Sequence, residues 1–77
     1  TMLYMELDAG ANVNDTYDAI RNSNFGEIHK IDLVSPRTGN SGHIGITLTL
    51  TLKKKLDVYS LEKELCKIDG MIFAVEL

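Results

Sequence analysis

Two histidines are the first residues of this chain that could do chemistry, because imidazole is a common metal ligand. His29 and His43 flank a segment rich in glycine, serine and asparagine, which predicts a flexible hairpin loop between two strands. Successive side chains of a strand point to opposite faces. His29 has the parity of Ile31 and is expected half-buried on the core face, whereas His43 has the parity of Thr47 and is expected on the open face. A metal site shared by the two histidines is therefore not predicted.

Cys66 is the only cysteine, so the chain can form neither an internal disulfide nor a cysteine cluster for zinc. A catalytic thiol needs an activating base close to it, and the residues around Cys66 indicate none. We therefore interpret Cys66 as a small, partly exposed helix residue. The acidic residues are scattered and match no recognisable metal-binding or acid–base pattern. No cofactor, no metal site and no catalytic residue is predicted.

The segment Asp8-Ala9-Gly10-Ala11-Asn12 is the strongest candidate for a ligand site. It places turn-forming residues between a predicted strand and a predicted helix. A glycine at such a junction lets a ligand approach backbone N–H groups at the positive end of the helix. We predict Asp8, Gly10 and Asn12 as ligand-binding residues, and a plain strand-to-helix turn is the alternative interpretation.

The elements that would hold these residues follow from the hydrophobic pattern. Residues 44–52 alternate strictly between aliphatic side chains and glycine or threonine, which predicts a strand with one buried and one open face. The predicted strands cover about residues 2–8, 27–35, 43–54 and 71–77. Helical spacing predicts one helix along Val13, Tyr17 and Ile20 and a second along Val58, Leu61, Leu65 and Ile68.

The order strand, helix, strand, strand, helix, strand predicts an α+β fold, the ferredoxin-like βαββαβ sandwich. Right-handed crossovers place both helices on one face of a four-stranded antiparallel sheet with strand order 4-1-3-2. A four-stranded meander with loosely attached helices is the alternative. It fits less well, because both helical segments stand where crossovers are needed. The 77 residues form one domain, 1–77.

Several apolar residues are expected on the sheet face that no helix covers. Parity places Ile28 and Val34 of the second strand and Ile72 and Ala74 of the fourth strand on that face. Exposed apolar side chains of this kind suggest a partner surface, and edge strands leave backbone groups unpaired. We expect a homodimer that forms through a sheet edge, the second strand first, or through the open face.

The charge of the chain argues against a nucleic-acid partner. Its net charge is −3, and the only basic run, Lys53-Lys54-Lys55, is interpreted as a solvated strand end. An RNA-recognition domain would need stacking aromatics on its first and third strands, where only Tyr4 is aromatic. The first strand–helix junction also lacks the Cys-x-x-Cys of copper chaperones and the arginine of acylphosphatases.

At this junction the chain resembles the ACT domain, a small-molecule regulatory module with the same βαββαβ order. ACT domains often carry Asp-x-Pro-Gly there; Asp8 and Gly10 match, and Ala9 stands in place of the proline. The resemblance implies an effector site at Asp8, Gly10 and Asn12. A small-molecule effector is therefore an expected partner.

The second half of the chain resembles the C-terminal domain of the MgtC/SapB membrane proteins. The resemblance rests on the long Thr/Leu strand, the short link Lys53–Asp57, the helix segment Leu61–Leu65 and the stretch Lys67–Leu77 with its Ile-Asp-Gly turn. It implies an ACT-like domain on the cytoplasmic side of the cell membrane, attached to a transmembrane part that is linked to magnesium homeostasis. Because the chain begins at Thr1, we expect it to be a soluble piece of such a longer protein.

Three functions remain open at this point. The first is a non-catalytic regulatory or self-association domain of an MgtC/SapB-type protein, with the transmembrane part of that protein as a partner. The second is an amino-acid-binding ACT domain of a metabolic enzyme. The third is a small free-standing enzyme of the same fold, for which the sequence offers no residue cluster. We favour the first, and no catalytic activity is predicted.

Overall fold

The computed structural model describes every residue from Thr1 to Leu77 as four strands, two helices and their connections. In chain order the elements are β1 Met2–Leu7, α1 Val13–Asn22, β2 Gly26–Val34, β3 Ile44–Leu52, α2 Val58–Leu65 and β4 Met71–Glu76. All neighbouring strands run antiparallel, in the order β2-β3-β1-β4. This arrangement confirms the predicted ferredoxin-like α+β fold and its strand order.

Both helices begin at a side chain that accepts a hydrogen bond from the helix backbone. The Oδ1 of Asn12 accepts from the N–H of Asp15 at 3.0 Å, and the Oδ1 of Asp57 accepts from the N–H of Ser60 at 2.7 Å. These contacts satisfy N–H groups that have no partner within the helix. After α2 the chain turns at Gly70, whose φ of +85° favours glycine. Neither helix combines the length and the apolar character that are needed to cross a membrane.

One face of the sheet packs against both helices and forms the core. The core side chains come from alternate positions of the two central strands and from one stripe of each helix: Leu3, Met5, Leu7, Ile20, Ile46, Leu48, Leu50, Leu61 and Leu65. Each of them is at most 3% exposed. Burying one such side chain contributes about 1.5–3 kcal/mol. The alternation along residues 44–52 therefore predicts the core face of β3 correctly.

A bulge in β2 changes the facing of its first half. Ile28 lies opposite Leu50 and the next paired residue is Lys30, so His29 is an extra residue in the strand. Ile28 therefore packs against the core, and its predicted position on the open face is wrong. His29 is exposed, and its Nε2 lies 2.7 Å from the Oγ1 of Thr51. Its predicted half-buried position on the core face is wrong for the same reason.

A second irregularity reverses the predicted facing of β4. The register with β1 shifts at Ile72, which has no partner in β1. Beyond the shift, Phe73 and Val75 lie on the open face and Ala74 packs against the core. The prediction that Ala74 lies on the open face is wrong, because one inserted residue inverts the facing of every residue after it.

The two faces of β3 provide a direct test of the fold. Leu50 is 3% exposed in the core, whereas Thr49 is half-buried on the open face. Leu50→Ala should lower the free energy of unfolding by about 2–5 kcal/mol, because it leaves a cavity in the core. Thr49→Ala should lower it by no more than about 1 kcal/mol. Chemical denaturation measures both losses, and equal losses would show that the facing of β3 is wrong.

Candidate functional site

The open face of the sheet is covered in part by the loop between β2 and β3, residues 35–43. Tyr4 and Glu6 of the central strand β1 are 1% and 0% exposed, although they point away from the helices. A buried carboxylate is costly unless hydrogen bonds replace those that it made with water. Glu6 therefore needs hydrogen-bond donors on this face of the sheet, and the loop lies where it can provide them.

Glu6 accepts hydrogen bonds from three side chains. The Tyr4 hydroxyl donates to Oε1 at 2.5 Å, and the Thr38 hydroxyl donates to Oε2 at 2.5 Å. The Nδ1 of His43 lies 2.6 Å from Oε2. Tyr4 belongs to the same strand as Glu6, whereas Thr38 and His43 belong to the loop. The carboxylate therefore ties the loop to the centre of the sheet.

The loop also determines which nitrogen of His43 carries the proton. The N–H of Gly42 donates to the Oδ1 of Asn40 at 3.1 Å, which orients the amide group. The Nδ2 of Asn40 then lies 3.1 Å from the Nε2 of His43 and donates to it. These contacts assign the imidazole proton to Nδ1, which donates to Glu6. No buried side-chain nitrogen or oxygen lacks a hydrogen-bond partner.

Tyr4 is held from two sides. The backbone N–H of Arg37 donates to the Tyr4 hydroxyl at 2.8 Å, and the guanidinium group lies 5.0 Å from the centre of the ring. The ring of Phe73 on β4 lies 5.7 Å from the Tyr4 ring, centroid to centroid. Cation–π and aromatic contacts of this kind stabilise beyond the burial itself. The loop and β4 together therefore enclose Tyr4.

Burial and hydrogen bonding act in opposite directions on the pKa of Glu6. Loss of water disfavours the charged carboxylate, but the bonds from Thr38, Tyr4 and His43 favour it more strongly. The balance lowers the pKa of Glu6 from 4.5 to about 2. Burial and the hydrogen bond to Glu6 raise the pKa of Tyr4, so its hydroxyl stays protonated and able to donate. Glu6 is therefore a charged acceptor at neutral pH.

This cluster contains the residue types of an acid–base site, and each of its groups already has a partner. Glu6 accepts from Tyr4, Thr38 and His43, and the Nε2 of His43 accepts from Asn40. A general base needs an acceptor within reach of the proton of a substrate. In the structure these contacts hold the loop on the sheet.

No motif in the sequence singles out Glu6, and the pattern predicts a flexible loop where the structure has an anchored one. A weaker signal is present. Glu6 stands between Met5 and Leu7 on a central strand, where a carboxylate needs donors to be buried. The loop is rich in such donors, among them Thr38 and His43. Pairing Glu6 with these donors requires a contact between residues far apart in the chain, which local sequence patterns do not indicate.

The predicted ligand residues Asp8, Gly10 and Asn12 lie together along an open groove of about 680 Å³. The groove runs between the start of α1 and the turn after α2, where Lys67 and Asp69 line it. Asp8 accepts from the next backbone N–H at 2.7 Å and Asn12 caps α1, so both side chains already have backbone partners. At Gly10 no atom lies within 4 Å of the place a Cβ would take. The structure brings the three residues together, and ligand binding by them stays a prediction.

His29 and His43 are far apart in the structure, but the reason is not the opposite facing that the sequence predicts. Both lie on the open face, because the bulge turns His29 toward Thr51, but they lie at opposite ends of β3. His43 and Thr51 are eight positions apart, a distance on the order of 25 Å along a strand. No group of three or more His, Cys, Asp or Glu side chains is arranged to hold a metal ion. Cys66 is exposed after the last turn of α2, as predicted.

Comparison with known proteins finds no protein family, no curated protein and no solved structure that matches this chain. The ferredoxin-like fold does not specify a function by itself, because it hosts many unrelated ones. The function must therefore be inferred from the side chains and exposed surfaces of the chain.

The stability of the domain should fall in acid as Glu6 takes up a proton. Its pKa is about 2 in the folded chain, below the ordinary 4.5, so the unfolded chain binds the proton more tightly. The contribution of Glu6 is therefore complete above pH 4.5 and is lost as the pH falls through about 2. Denaturation midpoints across this range measure the loss. Glu6→Gln should be less stable at neutral pH and less sensitive to acid, and an unchanged pH dependence would contradict this role.

The Tyr4 hydroxyl should contribute measurably to holding the loop. Tyr4→Phe should lower the free energy of unfolding by about 1.5–3 kcal/mol, because a buried charged group loses a donor and the N–H of Arg37 loses its acceptor. Tyr59→Phe is the matched control, since Tyr59 is 66% exposed, and it should change stability by less than about 0.5 kcal/mol. Urea denaturation at neutral pH compares them. Similar values for both variants would rule out the proposed role of the Tyr4 hydroxyl.

Proposed function

We propose that this chain is a non-catalytic regulatory and self-association domain of an MgtC/SapB-type membrane protein. In this proposal it lies on the cytoplasmic side, attached to a transmembrane part linked to magnesium homeostasis. The distribution of exposed apolar side chains is the observation that best supports an association role. Eight large apolar residues are at least 37% exposed, and four of them lie on β4 or directly beside it: Met2, Ile72, Val75 and Leu77. A small domain with such an edge gains stability from a partner.

The fold of the second half agrees with what the family resemblance implies. β3, α2 and β4 form the second half of the ferredoxin-like sandwich. The Ile-Asp-Gly turn connects α2 to β4, and in it the N–H of Met71 donates to the C=O of Ile68 at 3.0 Å. Gly70 provides the positive φ of +85° that this turn uses. These features support an ACT-like domain, and the assignment to membrane proteins rests on the sequence resemblance.

The contacts of the buried polar cluster support a non-catalytic role. Glu6, Tyr4 and His43 are the groups that could transfer protons, and they are hydrogen-bonded to one another or to the loop. Releasing any of them for a substrate would leave a buried donor or acceptor without a partner. Their present role is to close the loop over the sheet.

The groove beside α1 favours a second candidate function, an amino-acid-binding ACT domain of a metabolic enzyme. An amino acid needs donors for its carboxylate and acceptors for its ammonium group. The start of α1 offers backbone N–H groups, and Asp8, Asp15 and Asp69 offer carboxylates along the same groove. This function would place the effector against the residues predicted from the sequence.

An antibody raised against this domain tests the nature of the parent protein. In lysates of the source cells it should detect a species larger than 8.6 kDa in the membrane fraction. Alkaline carbonate washing removes peripheral proteins and should leave this species in the membrane, because transmembrane helices hold it there. A species found only in the soluble fraction would contradict the proposal. If that soluble species is an enzyme whose activity responds to an amino acid, the second candidate function is supported.

A further inference from the structure

The two edges of the sheet differ in their chemistry. β2 carries charged side chains on its open face, including the ion pair of Lys30 and Asp32 at 3.3 Å, and it bulges at His29. β4 carries the apolar Phe73 and Val75 on its open face, in a segment that is regular beyond its own bulge. Charges and bulges on an edge strand discourage pairing with other chains. From Phe73 onward, the open face of β4 carries no charged side chain and the strand has no bulge.

Four apolar side chains form a continuous stripe along this edge. Val75 is 44%, Leu77 48% and Met2 45% exposed. They share the open face because Val75 pairs with Tyr4, and the N–H of Leu77 donates to the C=O of Met2 at 2.9 Å. We call these three side chains and Phe73 the apolar stripe. It ends at the sheet edge, where a further strand would continue it.

The backbone of β4 offers hydrogen bonds at the same place. The N–H of Leu77 points inward to β1, and this direction alternates along an antiparallel strand. Phe73 and Val75 therefore also direct their N–H and C=O groups toward β1. Ala74 and Glu76 direct theirs away from the sheet, where no strand lies, because β4 is an edge of the sheet.

We infer that a second copy of this chain pairs with the first along β4, antiparallel over Phe73–Leu77, with the two-fold axis at Val75. This inference rests on the proposed self-association function and names its partner and surface. Ala74 of each copy exchanges two hydrogen bonds with Glu76 of the other. The two Val75 side chains face each other, and Phe73 of each copy lies opposite Leu77 of the other. The two sheets, each of four strands, become one continuous sheet.

A second copy is the occupant that fits, because the segment is complementary to itself in this register. Every pair on the open face is apolar, and Glu76 lies opposite the small Ala74. Moving the axis to Glu76 would place two carboxylates opposite each other, which destabilises the pair. Moving it to Ala74 would bring the bulged Ile72 into the pairing, opposite Glu76. The axis at Val75 avoids both.

Val75→Lys tests the interface, with Val34→Lys as its matched control. Both valines lie on the open face of an edge strand, Val75 at 44% and Val34 at 37% exposure. Val75→Lys places two ammonium groups against each other, so the concentration at which half of the dimer dissociates should rise about tenfold or more. Val34→Lys should leave it unchanged. Sedimentation equilibrium over a concentration series of the unmodified chain and both variants measures this.

Glu76→Pro tests the backbone pairing separately from the side chains. Proline removes the outward N–H of Glu76 and leaves the inward ladder to β1 intact. It should abolish the dimer, whereas Glu76→Ala keeps the N–H and should retain it. Circular dichroism shows whether each variant is folded. If Glu76→Pro and Glu76→Ala are both folded and both lose the dimer to the same extent, backbone pairing along β4 is overturned.

A disulfide tests the two-fold axis. In a Cys66→Ser background, Val75→Cys should form an intermolecular disulfide under mild oxidation, because directly opposed residues bring their Cβ atoms to about 4.5–5.5 Å. Val34→Cys in the same background should stay reduced. Crosslinking of the two variants to the same extent would overturn the placement of the axis.

The outcomes separate this inference from the proposed function. A dimer that Val75→Lys dissociates and Val34→Lys does not supports pairing along β4. A dimer that survives Val75→Lys and is lost with Val34→Lys overturns the β4 interface, while self-association stands. A chain that is monomeric at every concentration overturns both the interface and the self-association part of the proposal. The membrane fractionation tests the remaining part independently.

Discussion

A carboxylate buried in the middle of a small sheet is the constraint on which the arrangement of this domain depends. Glu6 lies on a central strand, on the face that no helix covers, and it is fully buried. A buried charge survives only where hydrogen bonds replace water. Two of the three donors, Thr38 and His43, come from the loop between β2 and β3. The loop therefore lies on the sheet because the charge of Glu6 needs it there.

The loop covers only part of the open face, and the remaining part stays exposed. The loop extends as far as the ring of Tyr4, which Arg37 covers and Phe73 borders. The loop thereby covers the part of the open face around Tyr4, while Val75 on β4 and Met2 beside it stay exposed. The buried charge thus separates a covered part of the open face from an exposed apolar edge. This edge is the surface on which the proposed association rests.

The size of the domain gives this edge its importance. A chain of 77 residues has a core of nine buried apolar side chains, and small domains bury a smaller share of their surface than large ones. The helices cover only one face, and the other face is covered in part by the loop. The Glu6 cluster holds the loop there, and the exposed apolar side chains of β4 are the surface on which the proposed self-association rests.

The amino-acid sequence by itself determined the element order, the sheet topology and the core face of β3. These features depend on local periodicities and on the rules by which neighbouring elements are connected. The facing of Ile28, His29 and Ala74 was decided only in the tertiary structure. One residue inserted by a bulge inverts the alternation, and the bulge exists only in the pairing of two strands. The Glu6 cluster joins residues more than 30 positions apart, so its hydrogen bonds exist only once the sheet and the loop have come together.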